Sequence, residues 1–85
     1  MATLDSLASK LADDTMKAMD ETGQDRLYME VAAVLAASSQ TLEEAYLTEI
    51  RVRLSERTAR EFLKKRWAEA RVQMKAAAQS QTDPS

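Results

Sequence analysis

The chain has 85 residues and a formal net charge of −2, with one Gly, one Pro and neither Cys nor His. A chain this short forms one domain at most and buries a modest core. Lacking thiols and imidazoles, it has no disulfide framework, no thiolate metal site and no side chain that ordinarily titrates near neutrality, which argues against an enzyme.

Ala, Leu, Glu, Arg and Lys dominate, while the two main helix breakers are nearly missing. These residues lose little rotamer freedom in a helix, and no alternating run of strand formers competes. The predicted fold is all-α, a small helical bundle in which two shorter antiparallel helices pack on a long C-terminal one. No apolar run approaches the roughly 20 residues that a membrane span needs. The opening MATLDSLASKLADD lacks the basic start of a secretory signal. A cytoplasmic protein is the expectation.

The first helix is predicted to start after Thr3, whose hydroxyl can cap the opening amides, with Asp5 favoured by the helix dipole. Leu4, Leu7, Ala8, Leu11, Thr15, Ala18 and Met19 recur at three- and four-residue steps as an apolar stripe, and Met16 lies off it. Gly23 suits the left-handed closure of a helix C-terminus.

Asp25 is the predicted cap of a second helix over residues 26–38, burying Leu27, Val31, Val34 and Leu35 with Tyr28 beside them. Its centre, EVAAVLAAS, is apolar on most sides, so this helix is predicted to be the most enclosed. Ala32, Ala33, Ala36 and Ala37 suggest close packing of a neighbouring helix in preference to a cofactor pocket.

The third stretch runs from Thr41 to about Ala78 with neither Gly nor Pro. Thr41 and Glu44 have the spacing of a capping box. Tyr46, Leu47, Ile50 and Leu54 lie within an arc of about 100° on an ideal helix. Further along, the apolar set is Ala59, Phe62, Leu63, Trp67, Ala70, Met74 and Ala77, centred roughly 150° away. The face jumps near Ser55–Thr58.

Two structures explain the jump. One is a break near residues 55–58, with Ser55 or Thr58 (the latter in a capping box with Glu61) capping a fourth helix that folds Phe62, Leu63 and Trp67 into the core. The other, favoured by the pairs Glu49–Arg53, Glu56–Arg60 and Glu61–Lys65, is one continuous helix whose second half faces a partner. In that case Phe62, Leu63, Trp67, Ala70 and Met74 form a partner interface, and the steps from Leu63 to Ala77 follow a short coiled-coil seam.

Charge is polarised along the chain. Residues 1–50 hold three cations against ten acids, a net of −7, and residues 51–75 hold nine against three, a net of +6. Arg53, Arg57, Arg60, Lys64, Arg71 and Lys75 share an arc of roughly 60° on a continuous helix. This basic ridge fits nucleic-acid phosphates, an acidic protein surface or a solvated face laced with Glu.

The adjacent acid pairs Asp13–Asp14, Asp20–Glu21 and Glu43–Glu44 point to different sides of a helix and do not converge. No catalytic residue, cofactor, metal site or small-molecule substrate is expected. Residues 1–78 are predicted as a single helical domain, followed by a polar, disordered tail over 79–85. The expected role is a protein–protein interaction module, a homodimer or a subunit of a larger assembly, that presents its C-terminal helix. A nucleic-acid-binding regulator using the ridge is the alternative.

Overall fold

The structure, a computed structural model, describes residues 2–81. It contains α1 (Ala2–Thr22), α2 (Leu27–Ala36) and α3 (Gln40–Gln81), and no strand among the described residues. The all-α bundle, with two shorter helices packed on a long C-terminal one, is the fold found. α3 runs through Ser55–Thr58 without interruption, so the broken, four-helix form is not adopted. Residues 79–81, expected in a disordered tail, are helical; 82–85 lie outside the described residues. The chain divides into two units, Met1–Leu54 and Ser55–Ser85.

In the first unit, α1 and α2 pack on residues 40–54 of α3. Ala12, Met16 and Met19 of α1, Ala32 of α2, and Tyr46 and Ile50 of α3 make the core. Leu47 and Leu54 pack against it, as the apolar arc of this segment requires.

The covered face of α1 is rotated from its predicted stripe. Met16 is buried, whereas Leu7 is 56% exposed. Ala8, Thr15 and Met19 remain inside and Leu11 still packs against the core, so the covered face is turned towards Ala12 and Met16 and away from Leu7. Small side chains let a neighbouring helix approach where leucines would hold it off.

α2 is not the most enclosed helix. Only Ala32 is buried; Ala33, Ala36 and Ala37 are exposed, and Val34 is 71% exposed. One face meets α1 and α3, and Met29, Ala33, Val34 and Ala36 on the rest of the helix are exposed. Apolarity all round therefore did not translate into enclosure.

The caps also differ from expectation. α1 starts at Ala2, which puts Thr3 inside the first turn. Its end is as predicted: Gly23 adopts φ 73°, and its amide donates to the Met19 carbonyl at 2.9 Å, closing the helix in a left-handed cap. Arg26, not Asp25, is the N-cap residue of α2, and it makes no side-chain cap hydrogen bond. The Leu27 amide instead reaches back to the Gln24 carbonyl at 3.4 Å, which places Asp25 within the turn.

At the other end of α2, the Leu35 carbonyl accepts from the Ser38 and Ser39 amides at 3.0 and 2.7 Å. That tight turn starts α3 two residues early. Ser39 Oγ accepts the Leu42 amide at 3.2 Å, and the Ser39 carbonyl accepts the Glu43 amide at 3.0 Å. Ser39 is therefore the cap, and the Thr41–Glu44 pair falls inside the helix.

Candidate partner-binding surface

The second unit is built from residues that favour helix with no help from a core. Between Ser55 and Gln79 the chain is mostly Ala, Glu, Lys, Arg and Gln, and Arg60 Nε and Nη2 both donate to Glu56 Oε2 one turn earlier. Every side chain over residues 55–79 is exposed.

Exposure does not spare the apolar residues. Phe62 is 63% exposed, Trp67 59% and Met74 71%; Leu63 and Ala70 are exposed with them. Leu63, Trp67, Ala70, Met74 and Ala77 fall within about 80° of arc, and Phe62 stands roughly 60° beyond its edge. The predicted interface thus resolves into a seam with Phe62 at its margin. Val72, also exposed, lies on the opposite side and escaped the sequence reading because it has only Ala68 and Ala76 for apolar company there.

Two arginines lean over the aromatic rings. The Arg66 guanidinium lies 5.8 Å from the Phe62 ring centroid, and that of Arg71 lies 5.3 Å from the Trp67 centroid. Such contacts are worth about 0.5–1 kcal/mol at exposed sites. They cover part of each ring while keeping a full charge beside it. Lys64, Trp67, Ala68 and Arg71 also line a shallow recess of about 160 Å³, with two cations at an indole.

The basic ridge does not hold together as one set. Arg53 belongs to the first unit, where its side chain is only 22% exposed. Its Nε donates to Asp13 at 2.8 Å, one terminal nitrogen to the Glu49 carboxylate at 2.8 Å, and the other to Ser9 Oγ at 2.9 Å. Hydrogen bonds to Asp13 and then Glu49 push its pKa further up. Arg53 is a structural clamp between α1 and α3. Arg57, Arg60, Lys64, Arg71 and Lys75 lie in the second unit, with Arg60 engaged by Glu56.

The first unit carries a groove of about 390 Å³ between α2 and α3, lined by Tyr28, Met29, Ala32, Ala33, Leu47 and Leu54, with Glu43 and Arg51 also lining it. Among the described residues, no three acidic side chains converge on a point where a metal ion could sit, and no helix is long and apolar enough to cross a membrane. No family model, curated protein or solved structure matches the chain. The function therefore has to be read from the surface itself.

Proposed function

We propose that the chain is a small helical protein–protein interaction module that presents the second half of α3 to a partner. The exposed seam of Leu63, Trp67, Ala70 and Met74, with Phe62 at its edge, carries this reading. Large apolar side chains gathered on one exposed face mark a contact surface, whereas scattered ones do not. The reading assigns no catalytic step to the chain. Its partner is either a second copy, giving a homodimer, or a different protein.

The test compares the wild-type chain with a variant carrying Leu63→Gln, Trp67→Gln and Met74→Gln. Sedimentation reports self-association, and immobilised chains report retained proteins. The expected result is an association made by the wild type and lost in the variant, with the circular dichroism of both alike. Equal behaviour of the two chains in both measurements overturns the reading.

Nucleic-acid binding remains the second reading, supported by Lys64, Arg71 and Lys75 on one side of the same helix. With Arg53 clamped between α1 and α3 and Arg60 paired with Glu56, fewer cations are left to meet phosphates than the sequence promised.

A further inference from the structure

We infer that the partner of the α3 seam is an acidic amphipathic helix from a different protein, and not the same seam of a second copy. This rests on the interaction-module reading and adds the partner's chemistry. The residues that flank the seam carry the partner's signature. Leu63, Trp67, Ala70, Met74 and Ala77 alternate four- and three-residue steps, so the positions beside them that face a docked helix are Lys64, Arg66, Arg71 and Gln73. Three of these are cations and none is an acid.

Flanking charges select partner and orientation in paired helices. In a parallel pair of identical seams, Arg66 of each chain faces Arg71 of the other. In an antiparallel pair, each flank meets its own copy, so Lys64 and Arg71 face Lys64 and Arg71. Both arrangements bring like charges within a Debye length of about 10 Å with no carboxylate to answer them. The nearest acids, Glu61 and Glu69, lie more than about 100° around the helix from the seam's centre.

A helix with carboxylates on both flanks meets every one of these cations. Arg66 and Arg71 rest against Phe62 and Trp67, which holds their charges at the seam's margin, beside a helix docked there. The recess between Lys64, Trp67 and Arg71 is the natural seat for one carboxylate. The Glu56–Arg60 ion pair occupies the two positions that would continue the seam towards the N-terminus. Docking is thereby confined to residues 63–77, about 21 Å of helix.

The test uses the whole chain and its single tryptophan, Trp67, as the reporter. Three synthetic four-heptad peptides serve as probes: leucine seams flanked by Glu, leucine seams flanked by Lys, and Gln seams flanked by Glu. The expected result is a blue shift of Trp67 emission with the first peptide, at an affinity roughly tenfold or more above that for the second at low salt. The third should not bind. A variant with Lys64→Glu, Arg66→Glu and Arg71→Glu, all at exposed positions, should reverse the preference between the first two peptides.

Equal binding of the first two peptides overturns the acidic-helix inference and leaves the interaction module standing. Sedimentation that shows a dimer lost on Leu63→Gln does the same. Equal binding of the first and third peptides reduces the surface to a charge sink and overturns the inference. So does displacement of the first peptide by a duplex DNA that binds more tightly, which makes the ridge a polyanion site. If no peptide moves Trp67, the inference fails whatever becomes of the module itself.

Discussion

The Tyr46 hydroxyl donates a hydrogen bond to Thr15 Oγ1 at 3.0 Å inside the core, and the Thr15 hydroxyl donates in turn to the Leu11 carbonyl at 2.8 Å. The relay is directional, so its two ends should respond differently to deletion. Tyr46→Phe removes a donor while Thr15 keeps its bond to Leu11, and should cost about 1 kcal/mol. Thr15→Val strands a phenol in a fully buried residue and should cost more, about 1–3 kcal/mol. Urea denaturation of both variants checks the order. Tyr46→Phe as the costlier change would mean that the phenol finds another acceptor once Thr15 is gone.

The same phenol gives the first unit an alkaline weakness. Burial pushes the Tyr46 pKa above the ordinary 10.0, with the Thr15 hydrogen bond opposing less strongly. The unfolded chain therefore loses this proton first as pH rises. The stabilisation from keeping Tyr46 neutral is complete below pH 10 and is lost as pH climbs towards the raised folded value. Thermal melts from pH 8 to 11 should show wild type losing stability faster than Tyr46→Phe. Parallel curves for the two chains contradict this assignment.

Much of this core was readable in the residue order, and the failures have identifiable causes. Tyr46, Leu47, Ile50 and Leu54 share an arc and a long, breaker-free helix, so their inward direction followed from periodicity alone. Val34 did not, because a ten-residue helix that is apolar on every side gives no phase to read. The Leu7 and Met16 exchange has a related origin: the expected stripe passed through Leu7, and the covered face is turned towards Ala12 and Met16. Ser39 outcompeted Thr41 as a cap because the turn at Leu35 brings the chain into helix sooner. Arg53 was assigned to a surface ridge by angle, and nothing local to it announced that Asp13 and Ser9, some forty residues earlier, would meet it.

Arg53 should matter to stability more than a surface arginine does. Removing its side chain by Arg53→Gln frees Asp13 and Glu49 and loses the contacts to Ser9. Because Asp13 is largely exposed, screening limits the loss to about 1 kcal/mol. Asp13→Asn alone should cost roughly half of that, since Glu49 and Ser9 still hold the guanidinium. Both effects should shrink in 1 M salt, about the concentration at which the Debye length falls to 3 Å. An undiminished Arg53→Gln effect at high salt would place its value in packing of the stem instead of charge.

Gly23 isolates a purely conformational cost. Its φ of 73° lies in the left-handed region, and a Cβ built there meets nothing within 4 Å. Gly23→Ala therefore clashes with no neighbour, and its penalty is the backbone preference alone, about 1 kcal/mol. Gly23→Asn should recover part of it, since Asn tolerates this region better than Ala. Equilibrium unfolding of the two variants gives the comparison, and a stable Gly23→Ala would imply that the turn relaxes to another geometry.

The two halves of α3 should answer side-chain removal in opposite ways. Ile50 is fully buried, so Ile50→Ala opens a cavity and should cost about 2–5 kcal/mol, enough to threaten a domain of this size. Leu63→Ala and Trp67→Ala remove side chains of comparable or larger volume from exposed positions on the same helix. With little packing to lose, each should change stability by no more than about 0.5 kcal/mol, the range of ordinary surface substitutions. Loss of the Arg71–Trp67 contact can add a few tenths to the Trp67 value. Chemical denaturation followed by circular dichroism measures all three on one scale. Near-neutral stability together with lost association is the signature of a side chain kept for contact. A cost near that of Ile50→Ala at Trp67 would instead assign the indole to the chain's own fold and remove it from the proposed surface.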